Sequence, residues 1–223
     1  MLNSFSSKSK NSPSKRSLSN KKIEICNAIT HGIAAVLSLL GTYLLIQKGI
    51  KKISNTDTIA YIIYGFSMVA LFTNSTLYHS LSHSKYRSLL QKLDHSAIYF
   101  LIAGTYTPYL MIALNNKLAY LFLAIIWLLA LAGIIFEIFA INRFPKLSTY
   151  LYLTLGWLSL IIIYPLFKSM NFWGIIYLGL GGIAYSLGTI FYSMKANRWM
   201  HVVWHLFVIL GAGLMFFSIF RYL

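Results

Sequence analysis

From about residue 22 to its end, the chain alternates long apolar runs with short polar punctuation. Seven runs stand out, at about 25–46, 58–79, 95–113, 119–139, 149–167, 172–194 and 200–221. Each stays apolar for about 18–23 residues, the length a helix needs to cross the hydrocarbon core of a bilayer. None alternates polar and apolar residues as the strands of a membrane barrel do. The pattern predicts an all-α integral membrane protein, a bundle of seven transmembrane helices occupying residues 23–223. The connections are short, and most hold a Lys, Arg, Asn or Pro, so sequential helices must run antiparallel and no soluble domain fits between them. No repeat relates the two halves, which gives no support to an inverted-repeat transporter.

Within the runs, Gly179, Gly181, Gly182 and Gly188 cluster on the sixth, and Gly211 and Gly213 lie on the seventh. Small residues let helix backbones approach closely, and close packing is the expected role. Pro108, after Thr107 in the third run, predicts a kink whose freed carbonyl is met by neighbours. Tyr150, Tyr152, Trp173, Trp199 and Tyr222 fall at run ends and are expected in the interfacial aromatic belts.

Composition agrees with this class. A soluble domain carries about 25% charged residues. Here the figure is 10%, with 58% hydrophobic residues and a mean hydropathy of +0.68. The net charge of +15 comes from lysines and arginines in a polar tail and in the connections. It points to membrane topology and anionic lipid rather than to nucleic acid. Residues 1–22, rich in Ser, Lys and Asn, cannot bury apolar area and are expected to be a disordered basic tail. No short apolar segment of a secretory signal follows the charges, so the first run should act as an uncleaved anchor. With the N-terminus inside, thirteen Lys and Arg fall inside and six outside. Without the tail the balance is seven against six, so the tail sets the expected orientation, N-terminus cytoplasmic and C-terminus outside. The lone cysteine, Cys26, excludes an intrachain disulfide and a cysteine metal cluster.

The candidate chemistry lies at run ends. His201 and His205 open the seventh run one turn apart, about 5–6 Å between Cβ atoms. Two imidazoles so spaced can grip one metal, or can simply hydrogen-bond neighbouring helices. The glutamate that follows the first histidine of a zincin helix is missing, so that protease chemistry is not supported. His79 ends the second run with Ser75 one turn before it. Ser75 can support a ligand or bond back to its own helix carbonyl. Asp94 opens the third run, where it can cap the helix or act as a base beside a metal. Glu24, Asn27 and His31 share a face at the start of the first run, where Glu24 and His31 can form a polar pair or a supporting shell, and His31 is a further candidate ligand ranked below the other three. In the expected topology all these groups lie at the cytoplasmic end. Polar groups at membrane depth are costly and usually functional. Three histidines and an open position are the plan of a catalytic zinc site, which makes His79, His201 and His205 the candidate metal ligands. His83 is expected in a solvated loop, and His95 is expected to point away from the site. Glu137, late in the fourth run, has no assigned role.

Four ordered motifs carry a resemblance that extends from about Glu24 to the end. They are Glu24-Ile-Cys-Asn27-Ala-Ile-Thr30-His31-Gly32, Ser75-Thr-Leu-Tyr-His79, Leu93-Asp94-His95 through Gly104-Thr105-Tyr106-Thr107-Pro108, and His201-Val-Val-Trp-His205. In these the chain resembles the hemolysin III family, the bacterial branch of the progestin and adipoQ receptor group. The resemblance implies seven helices, an N-terminus inside, and a multi-pass location in the bacterial plasma membrane. It implies Zn2+ held by His79, His201 and His205, with Asp94 near the zinc-bound water and Ser75 close by. The wider superfamily looks like one of metal-dependent membrane hydrolases, ceramidases among them, which implies hydrolysis of a lipid amide or ester. The family name points instead to hemolysis by pore formation. A sensor of membrane state with a structural zinc is the third reading. Membrane lipids are the expected partners.

Overall fold

The computed structural model describes residues 13–140, 143–194 and 196–223. They form eight α-helices: α1 Pro13–Lys51, α2 Asn55–Ser80, α3 Arg87–Pro108, α4 Lys117–Ala140, α5 Pro145–Trp157, α6 Ile163–Ser169, α7 Phe172–Ser193 and α8 Trp199–Tyr222. A π turn, Tyr109–Leu114, extends α3, and a 3-10 turn, Leu158–Ile162, joins α5 to α6. Among the described residues seven spans are long and apolar enough to cross a membrane, with α5, the 3-10 turn and α6 making one.

The helices outrun their apolar cores at the polar ends. α1 begins at Pro13, where a proline's missing N–H costs nothing. Residues 13–22 of the expected tail are therefore helical, while residues 1–12 lie outside the described residues. Polar side chains close the connections. Ser54 accepts from the Asp57 N–H at 3.1 Å, Asn116 from the Ala119 N–H at 2.9 Å, Asn171 from the Trp173 N–H at 2.9 Å, and Asn197 from the Trp199 N–H at 3.0 Å. Each satisfies an amide that a helix start leaves without an intrahelical partner.

The spans pack as a ring. α1 lies against α2 and α8, α2 against α3, α3 against α4, α7 against α8, and α5 joins α4 to α7. The outer face is apolar, with Ile25, Ile29, Ile33, Val36 and Leu40 of α1 exposed; in lipid such a face needs no cover.

Irregular backbone occurs where polar side chains can meet it. The Pro108 irregularity takes the form of the π turn, which Asn115 ends in the left-handed region at φ 41°. At the end of α5 the Tyr106 hydroxyl donates to the carbonyls of Leu155 and Gly156, each at 2.9 Å. Glu137 is buried and accepts from Ser148 and, at 3.4 Å, from Tyr99. It thereby ties α4 to α5 and α3.

The glycine cluster divides into two sets. A Cβ on Gly181, Gly188 or Gly211 would meet Met215, Trp204 or Tyr185, as close packing requires. Gly179, Gly182 and Gly213 would meet nothing within 4 Å. Gly179 and Gly182 border a cavity inside the ring instead. The aromatic expectation also divides. Tyr150, Trp173 and Trp199 are exposed at helix ends, whereas Tyr152 is buried and lines that cavity.

Candidate metal centre

Four helices bring their polar residues to one end of the ring. α2 delivers His79 from its last turn, and α8 delivers His201 and His205 from its first turns. Their ring centres are 5.2 Å (His79–His201), 4.9 Å (His79–His205) and 4.8 Å (His201–His205) apart. Each offers one nitrogen, and these three nitrogens lie within 4.8 Å of one another. The i, i+4 spacing explains the α8 pair; the antiparallel packing of the ring brings His79 to it.

The unpaired atoms fit a cation. His79 is 4% exposed and His205 2% exposed. The Nε2 of His79 and the Nδ1 of His205 are buried with no hydrogen-bond partner among the described residues. Two imidazole lone pairs left unmet at membrane depth are costly unless something electropositive meets them. The other nitrogen of His79 is held: its Nδ1 lies 2.6 Å from Glu24 Oε2. A carboxylate on one ring nitrogen, with the other free, is the arrangement that fixes a metal-binding tautomer. Glu24 is braced in turn by Arg87, whose Nη2 lies 3.9 Å from Oε1, while its Nη1 donates to the Ser82 carbonyl at 2.6 Å.

The packing of α1 decides the arrangement that the sequence leaves open. Glu24 pairs with His79, not with His31. His31 lies flat on His205, with ring centres 3.6 Å apart and planes 16° from parallel. The Asn27 backbone carbonyl lies beside the His205 ring. Only the fold, not the periodicity of α1, selects these partners.

Asp94 lies seven residues inside α3, whose N-cap position is Tyr86, so it is not a helix cap. It faces Ser75, and both border a cavity of about 190 Å³ shared with His31, His201 and His205. Ser75 is 1% exposed. His95 does not point away; it borders the same cavity, and its Nδ1 lies 3.7 Å from Glu137 Oε2. His83 is exposed, as expected for a loop residue. Below these polar groups the walls turn apolar, with Leu71, Leu166, Leu178, Val208 and Met215 among them. The geometry thus offers three nitrogens for a metal ion, a carboxylate and a hydroxyl facing each other nearby, and apolar space leading away.

Comparison with known proteins adds the lineage. A family model described as Haemolysin-III related matches residues 19–216. The chain is 47% identical over 201 residues to the Hemolysin-3 homolog of Bacillus subtilis (strain 168), covering 90% of this chain and 94% of that protein. It is 47% identical over 201 residues to Hemolysin-3 of Bacillus cereus, covering 90% and 92%. It is 31% identical over 208 residues to the human Monocyte to macrophage differentiation factor, covering 88% and 83%.

Proposed function

Starting from the fact that this chain belongs to the Haemolysin-III related family of multi-pass membrane proteins, we propose that it is a zinc-dependent hydrolase of a lipid amide or ester. The observation that carries this reading is the trio His79, His201 and His205 beside a cavity that is polar at one end and apolar along its length. Neutral imidazoles suit zinc, and three protein ligands leave a position open for chemistry. Bound there, zinc supplies Lewis acidity toward a carbonyl and lowers the proton affinity of water.

The chain's own residues do the rest. Glu24 keeps His79 in the tautomer that presents Nε2, and His31 holds the plane of His205 by stacking on it. Asp94 accepts the proton of the attacking water and returns it to the leaving nitrogen or oxygen as its bond to the acyl carbon breaks. Ser75, facing Asp94, donates a hydrogen bond to the carbonyl oxygen as negative charge develops there. The apolar walls take the acyl chain and keep bulk water from it. With the N-terminus inside, the reaction lies near the cytoplasmic leaflet.

The test is the lipid profile of liposomes incubated with the purified protein, His79→Ala and Asp94→Asn. Release of a free acyl product by the parent protein, abolished in both variants, supports the proposal. Release that persists in both variants removes it.

A further inference from the structure

The mechanism leaves one set of buried polar groups unused. Tyr64 on α2, Tyr109 at the π turn and Tyr185 on α7 are neighbours within the ring. Tyr64 is 0% exposed and Tyr109 2% exposed. The hydroxyl oxygens of Tyr64 and Tyr185 are buried with no hydrogen-bond partner among the described residues, and that of Tyr109 is buried facing the Ser218 hydroxyl. Tyr109 and Tyr185 border the cavity, with Tyr64 behind them. The nearby Ser218 hydroxyl donates to the Gly174 carbonyl at 2.7 Å.

Their depth follows from α8. Tyr185 packs on Gly211, six residues past His205 and so about 9 Å along the helix. Tyr109 lies beside Ser218, thirteen residues past His205, roughly 20 Å along. The hydroxyls therefore sit well below the histidines, among Leu166, Leu178, Val208 and Met215. A buried hydroxyl without a partner costs about 1–3 kcal/mol. Phenylalanine would fill the same space without that penalty.

We propose that Tyr185 and Tyr109, at successive depths and with Tyr64 behind them, make a polar band along the cavity that binds an uncharged oxygen carried partway along the chain of a bound lipid. The inference rests on the reading that the cavity takes a lipid chain, and it adds a feature of that lipid. Phenol hydroxyls both donate and accept, so a hydroxyl or keto oxygen fits. A charged group does not, because the described lining at this depth holds no counter-ion and burial of an unpaired charge is prohibitive.

The experiment measures binding of stearic acid and of stearic acid hydroxylated at mid-chain to the full chain in nanodiscs. The same binding is measured for the Tyr64→Phe/Tyr109→Phe/Tyr185→Phe variant, together with thermal unfolding of both proteins without added fatty acid. The parent protein should bind the hydroxylated acid about fivefold more tightly, the variant should bind both acids alike, and the variant should unfold no earlier than the parent. Equal binding of both acids by the parent overturns the polar band and leaves the lipid reading intact. Binding of neither acid overturns both. Earlier unfolding of the variant would show that the hydroxyls serve the fold, and would also overturn the polar band.

Discussion

Glu24 on α1 holds the Nδ1 of His79 on α2 at 2.6 Å, and this contact aims the opposite nitrogen of the ring at the two histidines of α8. The orientation of the imidazole is set by a residue 55 positions away in the chain.

Glu24→Gln keeps an acceptor but removes its charge, so the imidazole loses basicity and orientation. Metal affinity should fall about 10–100-fold while the helices stay intact. Competition with a chelator of known affinity measures this, with circular dichroism as the control. Unchanged affinity would make the contact a packing feature.

His31 lies face to face with His205. If it acts as a platform, His31→Phe should keep the metal stoichiometry and His31→Ala should weaken binding by freeing the His205 ring. Loss of the metal in His31→Phe would make His31 a ligand.

Glu137 has a different role, because its partners Ser148 and Tyr99 lie on other helices. Glu137→Ala strands the buried Ser148 hydroxyl and leaves Tyr99 only the Ser148 carbonyl at 3.5 Å, so it should destabilise the protein by about 1–3 kcal/mol, with metal content unchanged. Unfolding in mixed micelles gives the first quantity, and elemental analysis gives the second.

The two glycine sets should respond oppositely. A methyl at Gly188 would sit 2.8 Å from the Trp204 ring and 2.9 Å from Phe207 Cβ, so Gly188→Ala should cost about 1–3 kcal/mol through overpacking. Gly179→Ala and Gly182→Ala enter open space and should stay within about 0.5 kcal/mol of the parent. Thermal unfolding of the three variants decides.

Much of this molecule was legible before its structure. The seven spans follow from run length, because the bilayer imposes one length on every crossing helix. The meeting of three histidines was also legible, since His79 and the His201–His205 pair end and open spans that must meet at one face. Partners within the ring were not. One helix face holds Glu24 and His31, so the sequence allows them either to pair or to support a ligand; the packing of α1 turns Glu24 to His79 and His31 to His205. For Asp94 the sequence allows both a cap and a base, because apolarity begins after it; α3 begins at Arg87, which removes the cap. A helix can extend beyond its apolar run at no cost in the polar interface, so composition locates the core of a span better than its ends. Gly179 and Gly182 were indistinguishable in sequence from Gly181, since a wall of a cavity and a packed crossing both favour a small residue.

The most direct measurement is the metal content of the detergent-purified protein beside His79→Ala, His201→Ala and His205→Ala. One zinc per chain in the parent, with each single variant largely depleted yet still helical, is the expected result. A parent protein that holds no stoichiometric metal after purification in metal-replete buffer, or variants that keep it in full, would contradict the three-histidine centre.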